Sequence, residues 1–355
     1  MRAGKPAATI LPIQYLRGFA ALLVIFVHAS DQLRIAMPYN PKLGHFGVDI
    51  FFVISGFIMI FISDRKAPNP IQFFTNRIRR IVPIYWFYTS VTAVLVISMP
   101  SAFRGTEFTL SHYIQSLFFI AHEQPGNTNT VSPLLRLGWT LNYEMFFYAL
   151  FAIAIAISFK SRLILTLLAI TVLVLFGWLV DAGPVWRFYT GSIMLEFAFG
   201  MAIGAWFVIH GRPSAKLTPL FWLAAAGCII WAEAIMWDRP TRGIVYGIPA
   251  AILVYLSLAV PATGEGFVGK ALRNLGDASY SIYLSHLFPL AMMRIVWEAL
   301  GLPRTAAANL LFVGTAMVAA AITGIFAYRL IERPLDRRAR SLVSRTVPAP
   351  AVASS

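Results

Sequence analysis

A chain of 355 residues would ordinarily fill two or three soluble domains, but 58% hydrophobic residues, only 12% charged residues and a mean hydropathy of +0.71 do not describe a water-facing surface. The 28 Phe, 13 Tyr and 9 Trp also need burial, so secreted, fibrous and disordered classes are excluded, and the net charge of +14 points to Lys and Arg held at a cytoplasmic membrane face rather than to nucleic acid. The single cysteine, Cys228, lies in an apolar run, which leaves no intramolecular disulfide, no cysteine metal cluster and no support for redox chemistry.

Apolar segments long enough to cross a hydrocarbon core occur in chain order at about 13–30, 44–63, 81–100, 137–158, 163–180, 191–209, 219–237, 243–261, 279–300 and 306–331. Each is expected to be helical, because an isolated segment in lipid must satisfy its own backbone. The fold class expected is therefore all-α, a polytopic integral membrane protein of about ten transmembrane helices. The first span carries Arg17 and lacks a cleavage site, so it is expected to stay in the mature chain. The stretch 112–121 is apolar but too short to cross and is assigned to the long segment 101–136 as an interfacial or re-entrant piece. With the N-terminus inside, eighteen of the 29 basic residues fall in cytoplasmic segments and eight in outer ones, which places both termini in the cytoplasm. Residues 1–340 form one membrane domain and 341–355, rich in Pro, Ala, Val and Ser, a disordered tail. No internal repeat is visible, which disfavours transporter folds built from inverted repeats.

Charged groups inside spans cost several kcal/mol unless they have a partner or a function. His28, Asp49, Glu144, Glu196, Glu233 and Arg294 fall in the outer half, and Arg17, His286, Arg329 and the cluster Arg77, Arg79, Arg80 in the inner half, the layout of a bipolar cavity. Arg17 and His28 are eleven residues apart, about three full turns and about 16 Å of rise, so they share a helix face. A neutral imidazole can take a proton from a hydroxyl if its other nitrogen is held by an acceptor, here Asp49 or Glu144. The alternative for this pair is a polar cap and a snorkelling anchor.

Arg77 and Arg80 share a face and suit a multiply charged phosphate ligand, although anchoring to anionic lipid explains such clusters in most membrane proteins. Gly47, Ser55 and Gly56 permit close helix approach, whereas packing does not explain Asp49 or Glu144. His286 is either a hydrogen-bonded core histidine or part of the chemistry. His45, His112, His122 and His210 are expected at the surface. The sequence has no metal cluster, Walker loop, dinucleotide fingerprint or Gly-x-Ser-x-Gly elbow, so any group transferred arrives already activated.

Arg17-x10-His28, Gly47-Val48-Asp49-Ile50-Phe51-Phe52-Val53-Ile54-Ser55-Gly56-Phe57, Arg77-Ile78-Arg79-Arg80, Trp139-Thr140-Leu141-Asn142-Tyr143-Glu144, Ser281-Ile282-Tyr283-Leu284-Ser285-His286 and Glu332-Arg333-Pro334 follow in order. Over about residues 10–335 this series resembles the acyltransferase 3 family of bacterial integral-membrane O-acyltransferases, and within it the exopolysaccharide O-acetyltransferases of the succinoglycan type. The extra hydrolase-like domain of some members is not expected. The resemblance implies acetyl transfer from cytoplasmic acetyl-CoA, a substrate rather than a resident cofactor, to a hydroxyl of a polysaccharide or its lipid-linked precursor. It implies a bacterial inner-membrane location and polysaccharide-assembly proteins as candidate partners. It places His28, Glu144 and Asp49 in the catalytic set and Arg17, Arg77, Arg80 and His286 in the donor-binding set, with no metal. Either direct transfer or an acetyl-histidine intermediate fits. A secondary transporter of an anionic solute and a non-catalytic assembly scaffold are the competing classes.

Overall fold

The computed structural model describes residues 10–32, 43–100, 105–235, 240–261, 266–303 and 305–344. The chain is all-α apart from one two-stranded hairpin among these residues. In order, the elements are α1 (Leu11–Gln32), α2 (Phe46–Lys66), α3 (Pro70–Ser98), the short α4 (Leu110–Leu117), β1 (Glu123–Gln124), β2 (Asn127–Val131), α5 (Trp139–Ile157), α6 (Arg162–Leu179), α7 (Pro184–Tyr189), α8 (Met194–His210) and α9 (Thr218–Ala234). They continue through α10 (Arg242–Val245), α11 (Gly247–Ser257), α12 (Phe267–Ser285), α13 (Leu287–Ala299), α14 (Ala306–Ala327) and α15 (Arg333–Ser344).

Eight helical segments among the described residues are long and apolar enough to cross a membrane, as expected of an all-α polytopic membrane protein. The two remaining expected spans take broken forms. At 243–261, Pro249 has no N–H for the carbonyl of Val245, and that carbonyl accepts instead from the indole of Trp231 at 2.9 Å, so α10 and α11 divide at Tyr246. At 279–300 the helix begins earlier than expected, at Phe267, because Lys270, Arg273 and Asp277 make its first turns polar. It then breaks at His286, where Pro289 cannot donate to Ser285. Of the expected disordered tail at 341–355, residues 341–344 instead close helix α15, and the rest lies outside the described residues.

Two helix crossings without side chains between them set the site's frame. A Cβ at Gly56 would stand 2.1 Å from the carbonyl oxygen of Phe197, and one at Gly200 would stand 1.9 Å from that of Val53, so α2 and α8 meet backbone to backbone. A Cβ at Gly276 would lie 2.1 Å from the Gln14 carbonyl, which brings α12 equally close to α1. Around the first crossing a run of rings fills the centre: Phe147 stacks on Phe197 at 4.4 Å, Phe52 meets Phe197 at 4.7 Å and Tyr143 stacks on Phe188 at 4.0 Å. The least buried spans, α6 and α9, carry exposed Leu, Ile, Phe and Trp, the surface expected against lipid.

Residues 110–117 form an eight-residue helix, about 12 Å long, so this segment does not cross a bilayer. It is tied down by Tyr85 Oη donating to the Ser116 carbonyl at 3.1 Å and by Trp86 Nε1 donating to Leu117 at 2.8 Å. His112 and His122 are buried here, against the expectation of surface positions. Their rings pack 4.9 Å apart, and the nitrogens of His112 reach the carbonyls of Glu107 and Ser132, both at 3.2 Å. Alternating sequence polarity carries no sign of this cap. His210 is exposed, as expected, and His45 is half-buried.

Candidate active site

α3 opens with Asn69 accepting from the Ile71 N–H at 2.9 Å and Pro70 in the first turn, a strong helix start. The cap fixes the helix in register from its first turn, so Arg77 and Arg80 fall on one face, and both line one cavity, of about 110 Å³. Arg17 lines the same cavity from α1, with one guanidinium nitrogen donating to Ser279 Oγ at 2.8 Å and another to Gln14 Oε1 at 3.2 Å. The close passage of α12 at Gly276 makes the first bond possible. Arg80 lies within electrostatic reach of both Arg17 and Glu332, and Glu332 accepts from Ser281 Oγ at 2.5 Å. Nε of Arg77 is buried and has no hydrogen-bond acceptor among the described residues.

Among apolar residues such as Phe51, Phe52, Ile58 and Met59, the cavity wall also carries hydroxyls around one carboxylate. Glu144 accepts from Ser55 Oγ at 2.9 Å and from the hydroxyl of Tyr148, one turn along α5. Tyr148 in turn lies beside Arg77. Ser279, Tyr280, Thr140 and Tyr283 complete the polar lining. Tyr283 bonds to Thr140 Oγ1 at 2.8 Å and donates to the Leu137 carbonyl at 3.0 Å. It lines the cavity with its ring 6.1 Å from that of His286.

His28 and His286 pair next to this tyrosine, ring centroids 4.9 Å apart, with Nδ1 of His28 3.3 Å from Nε2 of His286. Backbone carbonyls assign the tautomers. Nδ1 of His28 lies 2.8 Å from the Val24 oxygen, and Nδ1 of His286 lies 2.7 Å from the Tyr283 oxygen and 3.2 Å from that of Ile282. A carbonyl only accepts, so both Nδ1 atoms carry hydrogen. The lone pair of His28 is then on Nε2, the position a general base requires.

The expected site residues therefore divide into three places. Arg17, Arg77, Arg80 and Glu144 surround one cavity. His286, expected among the donor-binding cations, is instead in contact with His28. Asp49 is elsewhere: its two oxygens accept from Nε and a terminal nitrogen of Arg242 at 3.0 and 3.1 Å, with Glu196 alongside. Neither Asp49 nor Glu144 holds the His28 ring, because Val24 and His286 already occupy its Nδ1. The one-turn spacing of Glu144 and Tyr148 is a signal that could have found Tyr148 in the sequence; the Asp49–Arg242 pair, 193 positions apart, has no local signal.

An all-α membrane bundle whose interior holds cations, a carboxylate and a paired imidazole defines an enzyme-like site rather than a plain anchor. The acyltransferase-domain family profile matches residues 11–329, and the chain belongs to this acyltransferase 3 family of membrane proteins. It is 38% identical over 325 residues to the exopolysaccharide production protein ExoZ of Rhizobium meliloti, covering 88% of this chain and 95% of that one. It is 24% identical over 355 residues to the O-acetyltransferase OatA of Staphylococcus aureus, covering 91% of this chain and 56% of OatA. No solved structure matches.

Proposed function

We propose that the protein transfers an acetyl group from acetyl-CoA on the cytoplasmic side of a bacterial inner membrane to a hydroxyl of an exopolysaccharide or its lipid-linked precursor. The observation that carries this reading is one cavity lined by Arg17, Arg77, Arg80 and Tyr283, with the Tyr283 ring 6.1 Å from that of His286, which in turn packs on His28 behind the wall. Three guanidiniums at one end suit the phosphates of a nucleotide carrier. The remaining wall mixes apolar side chains such as Phe51, Phe52, Ile58 and Met59 with hydroxyls of Ser55, Thr140, Tyr148 and Tyr280, which suits an uncharged arm. At the far end Nε2 of His28 takes the proton of the acceptor hydroxyl as its oxygen attacks the thioester carbon. The C–S bond then breaks, and the proton passes to the departing thiolate. The thioester supplies the activation that no nucleophile in the chain provides. The ExoZ likeness supports an exopolysaccharide acceptor, and the excess of basic residues at one face supports cytoplasmic termini.

Purified protein should release CoA from acetyl-CoA, faster with an acceptor glycan present. Arg77→Ala and Arg80→Ala should each raise the KM for acetyl-CoA by roughly tenfold to a hundredfold, the weight of a charge-assisted hydrogen bond. Lysine in either place should restore only part, since a point charge lacks the guanidinium fork. Unchanged KM in both alanine variants would leave the cluster as a lipid anchor. Absence of CoA release by the parent protein with every glycan tried would favour transport of an anionic solute.

A further inference from the structure

The second histidine has a geometry that acyl transfer by His28 alone does not require. His286 terminates α12 as its C-cap residue, where the last carbonyls of a helix have no intrahelical partner and the dipole favours a cation. Its Nδ1 is directed at the Tyr283 carbonyl at 2.7 Å and lies 3.2 Å from that of Ile282, which also accepts the His286 backbone N–H. Its Nε2, left as an acceptor, lies 3.3 Å from Nδ1 of His28, whose one hydrogen is shared between it and the Val24 carbonyl at 2.8 Å. The ring is fully buried, so the proton it could accept would come through His28.

We propose that His286 is the proton-accepting positioning residue behind His28, so that the pair works as a two-imidazole relay; this rests on the acyltransferase reading above. As the acceptor hydroxyl gives its proton to Nε2 of His28, the Nδ1 proton of His28 passes to Nε2 of His286. His28 stays neutral in its other tautomer, and the positive charge comes to rest on His286. There both N–H groups have acceptors: the carbonyls of Tyr283 and Ile282 on one side, and Nδ1 of His28 on the other. The oxygen–carbon bond forms, the carbon–sulfur bond breaks, and the two protons return in reverse order so that CoA leaves as the thiol. No proton is left over, and no other co-reactant is needed. A carboxylate in this position would carry a fixed charge into the apolar end of the site, whereas a neutral imidazole carries charge only while the reaction needs it.

The relay is tested by CoA-release kinetics of the full-length protein with acetyl-CoA and an active acceptor glycan, in mixtures of light and heavy water. Two protons moving together should make kcat fall with a curved dependence on deuterium fraction in the wild type. His286→Gln keeps an oxygen to accept from His28 Nδ1 but cannot hold the proton. It should leave the KM for acetyl-CoA within about twofold, lower kcat by at least roughly tenfold and give a straight-line dependence. His286→Phe, which also loses the acceptor, should be slower still. A straight line in the wild type, or wild-type kcat in His286→Gln, would overturn the relay while leaving the acyltransferase reading in place. Absence of CoA release by the wild type would instead remove both. If His286→Gln does not fold, the wild-type curvature decides alone.

Discussion

His28→Ala should leave a folded, membrane-inserted protein whose acyl transfer falls by on the order of 10²–10⁴-fold, the contribution of a positioned general base. The physical reason is the allocation of ring nitrogens. Nδ1 of His28 is committed to Val24 and His286, both nitrogens of His286 are occupied, and only Nε2 of His28 is left to meet a hydroxyl. His28→Gln tests this more sharply than alanine, because the amide can replace a hydrogen bond but cannot take a proton near neutral pH. It should be as inactive as the alanine variant. Turnover near that of the wild type in either variant, measured as CoA release with acceptor, would take His28 out of the mechanism.

Arg242→Ala should be the most destabilising single substitution in this group of residues, by about 3–5 kcal/mol, because it leaves the buried Asp49 with its ion-pair partner removed. Asp49 is fully buried and held by two of Arg242's nitrogens, and Glu196, buried with it, stands beside Asp49. Asp49→Ala should cost less than Arg242→Ala, since Glu196 stays close enough to balance the guanidinium. Thermal unfolding of the purified variants in one detergent checks the order. Equal melting temperatures for Arg242→Ala and the wild type would show that the pair adds nothing to stability. Reversed order would show that Glu196 does not share Arg242.

Much of this bundle is legible in the sequence because lipid forces a simple rule, that each crossing segment is apolar and helical. The Arg17–His28 spacing is legible for the same reason, since both residues ride on one uninterrupted helix and rotation per residue fixes their common face. What is not legible depends on contacts between distant segments. His286 meets His28 from 258 positions away, and nothing on α12 marks which of its faces turns to α1 until Gly276 and Gly18 are seen to cross. Asp49 looks like a partner for His28 when only depth is considered, but the close passage of α2 against α8 turns it toward Glu196 and Arg242. The prolines at 249 and 289 are visible in the sequence, yet hydropathy averaged over a window passes across them, and the broken helices at Tyr246 and His286 are missed. His112 and His122 flank a stretch too short to cross and are expected at the surface, and a cap folded on Tyr85 and Trp86 buries them nevertheless.

Transfer from one side of the membrane to the other is tested most directly by labelling cysteines with a membrane-impermeant thiol reagent, after Cys228→Ser removes the native thiol. Asn76→Cys places a thiol beside Arg77 on an exposed part of α3, and Asn127→Cys places one on the exposed hairpin. The thiol at 127 should react in cells whose outer membrane alone is permeabilised. The thiol at 76 should react only when the cytoplasmic side is opened, and acetyl-CoA should protect 76 but not 127. Labelling of both thiols from the same side, or protection of neither by acetyl-CoA, would contradict donor entry at the arginines and transfer across the bilayer to His28.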